Sequence, residues 1–401
     1  MENIKNLPFL RFPEFKGEWE MKYGNSVFKA ISNKNHNSDL PILAVSQEYG
    51  AVPREMINYQ ISVTDRSVES YKIVEIGDFI ISLRSFQGGI EYSNYLGICS
   101  PAYIILRPTI EISNTFFKYF FKTDYYIGLL CKKLEGIRDG KMISYKYFSE
   151  ILLPLPTFQE QQKIAAFLTT VDDKLQALKH KKSLLEQYKK GVMQKIFAQE
   201  LRFKDENGNE FPEWVEKKLG EVVLIKSGLS KEQNVNNTGH RVTRIETISD
   251  GTINLEKVGF IEATDEIEGY KINKGDILFS NINSVAHIGK TAIAEKDLDL
   301  YHGMNLLCLR STNGMNSMFI FYSLNTNKLR NHFKSICNQA VSQASINQTE
   351  LAKTILQIPF PSEQTKIANF LSTIDDKISR TQAQIENTME YKKGLLQKMF
   401  V

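Results

Sequence analysis

Residues 160–198 read EQQKIAAFLTTVDDKLQALKHKKSLLEQYKKGVMQKIFA, and residues 363–401 read EQTKIANFLSTIDDKISRTQAQIENTMEYKKGLLQKMFV. The two stretches align without a gap at an offset of 203 residues, and 18 of the 39 positions are identical. A Pro-x-Pro step precedes each copy, at residues 154–156 and 359–361. Because a period of about 200 residues is far longer than a solenoid repeat, the chain is a tandem duplication of a whole module.

Apolar residues recur in both copies at alternating spacings of four and three residues, with Lys182 and Lys189 at two of these positions in the first copy. This spacing predicts two long helices with a coiled-coil seam. About 37 residues at 1.5 Å each make a rod roughly 55 Å long. Two seams in one chain most simply pair with each other, and a two-fold relation between the modules makes that pairing antiparallel. The predicted pairing residues are Ile164, Leu168, Val171, Leu175, Leu178, Leu185, Ile367, Leu371, Ile374, Ile378, Ile385 and Leu395.

The segment in front of each helix forms a head, and the two heads share a frame. LRF occurs at residues 10–12 and 201–203, and GDFIIS at residues 77–82 parallels GDILFS at residues 275–280. After these last segments the likeness stops: LRSFQGGIEYSN in the first head faces NINSVAHIGKTA in the second. The heads are therefore expected to share a scaffold and to differ at their tips.

Short β-branched or aromatic segments bounded by Gly, Pro, Asn or Asp predict strands in both heads. The predicted strands are 71–76, 78–83, 102–106, 276–279 and 305–309, and the predicted helices are 116–130 and 318–333. The fold class is α+β: two mixed α/β heads separated by two long helices that pair as an antiparallel coiled coil, in a pseudo-two-fold tandem repeat. The predicted boundaries are 1–157 for the first head, 158–200 for the central helix, 201–361 for the second head and 362–401 for the distal helix.

Composition narrows the class of protein. The 401 residues are 42% hydrophobic and 24% charged, with a net charge of +4, which permits nucleic-acid binding without requiring it. We expect no membrane span and no signal peptide, because no apolar stretch approaches about 20 residues and the N-terminus lacks the basic-then-apolar layout. Four scattered cysteines without a CxxC pair fit a reducing cytosol.

The sequence contains no convincing catalytic constellation. No Pro-Pro pair is present, so the Asn/Asp-Pro-Pro-Tyr/Phe motif of amino-methyltransferases is missing. A phosphate-binding loop fails because Ser284 stands where the first glycine is needed. The six histidines have no metal-ligand spacing, so no metal site is expected. The acid pairs at residues 172–173 and 375–376 are interpreted as interface or solvated charges.

The chain resembles the specificity subunit of type I restriction-modification systems. The resemblance is carried by two copies of one motif set, each after a variable mixed head: P-x-P, EQ-x-KIA-x-FL, DDK and YKKG-x-x-QK-x-F. The resemblance covers essentially the whole chain. It implies that the heads are target recognition domains, that the helices are conserved spacers, and that the chain itself is not an enzyme. It further implies double-stranded DNA, two modification (methyltransferase) subunits and restriction subunits as cytoplasmic partners. S-adenosylmethionine, ATP and Mg²⁺ would be bound in those partner subunits, and no cofactor by this chain.

Loops after the common frame are where base-reading side chains are expected, because Arg reads guanine and Asn or Gln reads adenine in the major groove. The alternative for any one of these residues is a solvated loop position. The candidates in the first head are Arg84, Ser85, Gln87, Arg138 and Lys141, and those in the second are Arg244, Asn281, Asn283, Ser284, His287, Lys290, Gln339 and Gln343. Arg244, together with Arg54, Arg66 and Arg241, is better suited to phosphate contacts.

The leading hypothesis is a non-catalytic subunit that reads an asymmetric bipartite DNA site for a larger enzyme. A second hypothesis is a standalone DNA-bridging or architectural protein without a methyltransferase partner. A third is an enzyme whose catalytic motif is unfamiliar, which the missing methyltransferase, phosphate-loop and metal patterns disfavour.

Overall fold

The structure is a computed structural model that describes residues 7–37, 39–47, 49–57, 68–83, 85–132, 143–234, 238–249, 251–262, 265–339 and 343–401. The chain divides into two compact units. The first unit comprises residues 1–179 and 382–401, and the second comprises residues 180–381. Each unit therefore combines one head with one segment from each long helix. The division of the chain into four parts stays a prediction.

The first unit is a mixed α/β head in which the described strands are short. Its strands are β1 (Glu20–Tyr23), β2 (Phe28–Ile31), β3 (Leu43–Ser46), β4 (Gly50–Pro53), β5 (Lys72–Val74), β6 (Phe79–Ile81), β7 (Glu91–Tyr92), β8 (Gly97–Cys99), β9 (Ile104–Pro108) and β10 (Leu152–Leu155). Its head helices are α1 (Gly24–Val27), α2 (Ser85–Gly88), α3 (Asn114–Phe120), α4 (Asp124–Lys132) and α5 (Tyr145–Ser149), with a 3₁₀ turn at Arg54–Met56. The strands β2, β9, β6 and β7 form one antiparallel sheet in that order.

The second unit repeats this plan and adds a small ribbon. Its strands are β11 (Val215–Lys218), β12 (Val223–Ser227), β13 (His240–Thr243), β14 (Val258–Ile261), β15 (Ile277–Phe279), β16 (Ile282–Asn283), β17 (Thr291–Ile293), β18 (Leu307–Ser311), β19 (Asn338–Gln339), β20 (Ala344–Ser345) and β21 (Ile355–Ile358). Its head helices are α7 (Leu219–Val222), α8 (Ser317–Leu324), α9 (Asn327–Ile336) and α10 (Gln348–Ala352), with 3₁₀ turns at Ile245–Ile248 and Asp265–Tyr270. Strands β12, β18, β15 and β17 form the equivalent sheet.

Both central sheets are covered on two faces, which explains why their inner strands are apolar without alternation. Phe79 and Ile81 of β6 join the cluster under the head helices, whereas Ile80 joins a separate cluster on the opposite face. In β15, Ile277 and Phe279 face one core and Leu278 the other. Successive strand residues point to opposite faces, so a sheet buried on both sides needs an uninterrupted apolar strand.

The helical stretches predicted at 116–130 and 318–333 are present, and each is divided into two helices. The break falls at equivalent threonines. The Thr123 hydroxyl accepts a hydrogen bond from the Tyr126 amide at 3.2 Å, and the Thr326 hydroxyl accepts one from the Leu329 amide at 3.3 Å. Each threonine therefore caps a new helix, which competes with continuation of the previous one.

The long helices are α6 (Phe158–Phe197) and α11 (Pro361–Met399), close to the predicted bounds. In the first unit, Ile164 and Leu168 of α6 share a core with Leu395 and Met399 of α11, which requires antiparallel segments. In the second unit, Ile196 of α6 shares a core with Ile367 and neighbouring residues of α11. No described helix is both long enough and apolar enough to cross a membrane.

Most of the predicted seam is buried, but it packs against the heads as well as between helices. The buried members are Ile164, Leu168, Val171, Leu175, Ile367, Leu371, Ile374, Ile385 and Leu395, and the half-buried members are Leu178, Leu185 and Ile378. Two further seam positions hold the buried threonines Thr381 and Thr388. Each donates its hydroxyl to the carbonyl four residues earlier at 2.7 Å, which satisfies the polar group inside an apolar seam.

Candidate nucleic-acid interface

The frame shared by the two heads is held by matching ion pairs, each between a buried aspartate and a partly exposed arginine. The Arg107 guanidinium donates twice to Asp78, at 2.8 Å for each bond. The Arg310 guanidinium donates to the two oxygens of Asp276 at 2.7 and 2.6 Å. Both aspartates are almost fully buried, and a bidentate pair of this kind fixes geometry as well as charge. The loops that leave this frame therefore start from equivalent, rigid positions.

In the first head, the described part of the tip contains the Ser82–Ser85 turn and helix α2. The Ser85 hydroxyl is buried and accepts a hydrogen bond from the Ser82 amide at 2.9 Å. Ser85 therefore holds its own turn and does not belong with the exposed candidates. Gln87 is exposed at the end of α2. Arg84, Arg138 and Lys141 lie outside the described residues.

In the second head, pairing of three short strands brings together candidates that are distant in sequence. Strand β20 pairs with β16 on one side and β19 on the other, and Ala344 is the register partner of both Asn283 and Gln339. Gln343 precedes Ala344 and is exposed, as are Gln339, Ser284 and His287. We call this three-stranded element, with Ser284, His287 and Gln343 at its edges, the ribbon.

The side chains of three other candidates of the second head contact other parts of the same head. The Lys290 ammonium donates to the Ser249 carbonyl at 2.7 Å, and the Asn283 amide donates to the Ser280 hydroxyl at 3.1 Å. Asn281 is half-buried: its amide lies 3.4 Å from the Ile346 carbonyl, and its side-chain oxygen has no partner among the described residues. These contacts position the ribbon. Arg244 is exposed and donates to Gln233.

Sequence reasoning missed the polar face of α9, which leads directly into the ribbon. Leu329 and Phe333 bury one side of this helix, and Asn331 and Lys334 are exposed on it. The signal was present as an apolar pair four residues apart between polar residues, which predicts an amphipathic helix. Arg54 in the first head, proposed for phosphate contact, has two buried guanidinium nitrogens without a partner among the described residues.

The repeated helix motif itself builds the junction between head and helix. Glu160 accepts two hydrogen bonds from Arg11, at 2.7 and 2.8 Å, and Glu363 accepts two from Arg202, at 3.1 and 2.8 Å. Both glutamates are buried at the start of a long helix. The LRF segments are thus the partners of the EQ dipeptides. This contact ties a segment before each head to the helix after it.

A second matched contact uses one acid of each DD pair. Tyr119 donates to Asp172 at 2.9 Å, and the Lys392 ammonium lies 2.6 Å from the same carboxylate. In the second unit, Tyr322 donates to Asp375 at 2.7 Å, and Lys189 contacts that carboxylate at 2.6 Å. Burial, together with the carboxylate, raises the pKa of both tyrosines. Asp172 and Asp375 are therefore interface residues, whereas Asp173 and Asp376 are exposed.

Several positions that are identical in the two helix copies have exposed side chains. Tyr188 is 53% exposed and its counterpart Tyr391 is 56% exposed. The other exposed identical pairs are Thr170 and Thr373, Asp173 and Asp376, Lys174 and Lys377, Lys190 and Lys393, Gln194 and Gln397, and Lys195 and Lys398. Most of the remaining identical positions pack in a core or form the contacts above. Among the described residues, no group of three or more His, Cys, Asp or Glu could hold a metal ion.

Comparison with known proteins places this architecture in a family. A family model described as the type I restriction modification DNA specificity domain matches residues 16–187 and 212–391. A relative from Methanocaldococcus jannaschii, named for the specificity subunit of the type I restriction enzyme MjaX, is 42% identical over 210 residues. That match covers 51% of this chain and 49% of the relative, so the chain spans about half the length of that protein.

A second relative from the same organism, the MjaVIII specificity subunit, is 26% identical over 98% of this chain and 94% of its own length. Among solved structures, the S subunit of a type I system from M. genitalium has a TM-score of 0.57 at 15% identity, covering 98% of this chain and 99% of that one. This likeness shows a shared fold. Because the family model matches both heads and most of both helices, the chain belongs to the family of type I restriction-modification DNA specificity subunits, which are non-catalytic DNA-recognition components.

Proposed function

We propose that this chain reads an asymmetric, bipartite DNA site, one half-site with each head. The observation that carries the proposal is the contrast between a matched frame and unmatched tips. The Asp78–Arg107 and Asp276–Arg310 pairs support the tips of both heads in the same way. One tip nevertheless continues into helix α2 and the other into the ribbon. Two different surfaces on one scaffold read two different base sequences, because readout depends on side chains at base edges.

In the second head, we assign base readout to the ribbon. Gln339 lies on β19 and Gln343 immediately precedes the neighbouring strand β20; both amides are exposed, and an amide can pair with the N6 and N7 atoms of adenine in the major groove. A two-stranded antiparallel β-ribbon fits this groove, and the pair of β19 with β20 is of that kind. Lys334, four residues before β19, and Arg244 elsewhere in the same head supply positive charge and are suited to phosphate contacts.

The second part of the proposal is that the repeated helix surface docks two copies of one methyltransferase subunit, and restriction subunits through them. A large exposed aromatic side chain at the same position of both copies, Tyr188 and Tyr391, is the kind of residue that anchors a protein interface. Because the same surface occurs on both helices, each helix is expected to bind one copy of the same partner. S-adenosylmethionine, ATP and Mg²⁺ then belong to those partners, and the assembly acts in the cytoplasm.

The DNA part is tested by the methylome of cells that express this chain with its cognate modification subunit. We expect two short, unlike half-sites separated by a gap of fixed length and unspecified sequence. Substituting Gln339→Ala should relax the methylated sequence in one half-site and leave the other unchanged. A continuous palindrome, or a site that stays unchanged in this variant, contradicts the corresponding assignment.

The docking part is tested by co-purification of the modification subunit with a Tyr188→Ala/Tyr391→Ala double variant. We expect loss of two bound subunits, at a cost of about 2 kcal/mol or more for each buried aromatic anchor. Met389→Ala is the matched control, because Met389 is 51% exposed on α11 but has no identical counterpart in α6. If the wild-type chain binds DNA specifically and captures no methyltransferase, the standalone architectural function is correct instead.

A further inference from the structure

The second unit contains a cavity of about 440 Å³ between the end of α6, the turn joining α8 to α9, and strand β21. Its apolar lining includes Met193, Phe197 and Leu329, and its polar lining includes Gln194 and Asn327. A cavity of this volume, mostly apolar with a few polar groups, is typical of a site for a small organic ligand.

In the first unit, the equivalent space is filled by the chain itself. The matching contacts of Thr123 and Thr326 fix the alignment of the two turns, and Ser323 then stands where the first unit has Phe120. Phe120 is fully buried, with its ring centroid 6.0 Å from that of Phe400 and 5.2 Å from that of Tyr126. The second unit replaces Tyr126 by Leu329 as well, so it lacks two aromatic rings that the first unit packs here.

The walls of the cavity are held by ring contacts with residues behind them and by a hydrogen bond within the lining, which keep the space open. The Phe197 ring lies 5.6 Å from Phe319 and 6.1 Å from Trp214, centroid to centroid. The backbone at Ser323 is fixed because the Thr326 hydroxyl donates to the Ser323 carbonyl at 2.9 Å. A wall made of rigid aromatic and hydrogen-bonded groups keeps its shape when the filling side chain is absent.

The charges around the cavity are positive. Lys190 and Lys328 belong to the lining, and none of its residues is acidic. In the first unit, the position of Asn327 holds Asp124, which accepts a hydrogen bond from Gln397 at 3.1 Å, and the position of Lys328 holds Tyr125. The second unit has therefore lost a carboxylate and gained an ammonium group where it lost the aromatic rings.

We propose that the second unit holds a binding site for a small aromatic anion, such as an aromatic carboxylate. The ring occupies the space that Phe120 fills in the first unit and packs against Phe197. The anionic group lies near Lys190 and Lys328. This site goes beyond DNA readout and partner docking, and it stands or falls independently of both.

Indole-3-acetate is the probe, titrated calorimetrically into the full-length chain. We expect saturable binding with one site per chain. Ser323→Phe restores the filling ring of the first unit and should abolish binding, and Leu329→Tyr should weaken it by about tenfold or more, a loss that calorimetry resolves. Circular dichroism and the melting temperature identify any variant that fails to fold, and either folded variant is sufficient for the test. No saturable binding to the wild-type chain, or unchanged binding to a folded filled variant, overturns the proposal.

The charge of the ligand is tested by a second pair of variants. Lys328→Gln should weaken indole-3-acetate binding several-fold and leave binding of neutral indole unchanged, because only the anion gains from the ammonium group. Lys181→Gln, an exposed lysine of α6 that does not line the cavity, is the control and should change neither affinity. Equal losses for both probes in Lys328→Gln would refute the preference for an anion.

Discussion

The two units of this molecule share their supporting contacts and differ at the tips of their heads. Arg11 with Glu160 and Arg202 with Glu363 clamp head to helix in the same way. The tips of the two heads are not equivalent: one contains helix α2 and the other a three-stranded ribbon. A duplicated module can therefore keep its scaffold while its tips diverge, because the scaffold carboxylates are buried and paired whereas several tip side chains are exposed.

The largest effect is expected when the chain is truncated to one head and one long helix. A fragment of residues 1–205 keeps the first head and α6 but lacks Leu395, Met399 and Phe400, which belong to the first core. A second copy of the fragment can supply the equivalent residues Val192, Ile196 and Phe197. We expect a dimer at micromolar concentration by analytical ultracentrifugation. A folded monomer would show that the head does not need a second helix.

The next largest effect concerns the Arg11–Glu160 and Arg202–Glu363 ion pairs, which we call the two clamps. Arg11→Ala leaves Glu160 buried without its cation, which should destabilise the first unit by about 3–5 kcal/mol. Arg202→Ala should cost roughly 1 kcal/mol less, because the Trp214 indole still donates to Glu363 at 3.1 Å, whereas the equivalent Trp19 nitrogen has no partner among the described residues.

Native-state hydrogen exchange measures the two clamps separately, since it reports the opening free energy of each unit. Lys163→Ala, which removes an exposed ion pair with Glu14, is the control and should change stability by less than about 1 kcal/mol. Equal costs for Arg11→Ala and Arg202→Ala would mean that the indole bond adds nothing.

A smaller and symmetric effect is expected at the Tyr–Asp–Lys contacts. Lys392→Met and Lys189→Met each remove the ammonium group from a carboxylate that a tyrosine also contacts. Because both pairs are partly exposed, each variant should lose only about 1 kcal/mol in its own unit. Hydrogen exchange should show the same loss in the two units. A loss of stability in only one unit would show that the two contacts are not equivalent.

The smallest effect is a pH dependence of the second unit that comes from His302. Burial lowers the pKa of His302, whose ring lies 2.9 Å from the Leu306 carbonyl. The unfolded chain then binds a proton that the folded chain resists, so stability is lost as pH falls below about 6.5, by less than about 1 kcal/mol at pH 6. His302→Gln should flatten this dependence in thermal unfolding between pH 7.5 and pH 6. An unchanged slope would assign the acid sensitivity to other groups.

The sequence was most informative where physical constraints repeat along the chain. The heptad spacing predicted both long helices to within a few residues, because a buried stripe on a helix must recur every three or four positions. Strand positions were predicted well at the frame, since β6 and β15 fall inside the predicted segments. The break inside each helical stretch of the heads was not predicted, because a threonine can lie within a helix or cap the next one.

The candidate site was only partly predictable. Sequence order suggested two separate polar clusters in the second head, and pairing of β16, β20 and β19 joins them into one surface. Sequence could not show that Ser85 is buried or that the Lys290 ammonium is engaged with a carbonyl. Whether a polar side chain is available to DNA depends on neighbours that are distant in the chain.

By itself, the sequence determined that this protein is a duplicated module with two paired helices and two unlike heads, because identity at a fixed offset and the heptad period are properties of the chain alone. Only the tertiary structure decided which repeated residues are internal clamps and which remain exposed. It also decided that Ser323 leaves a cavity where Phe120 fills one. Clamps, exposed anchors and cavities depend on contacts between segments more than 100 residues apart, such as Arg202 and Glu363, and no local pattern specifies them.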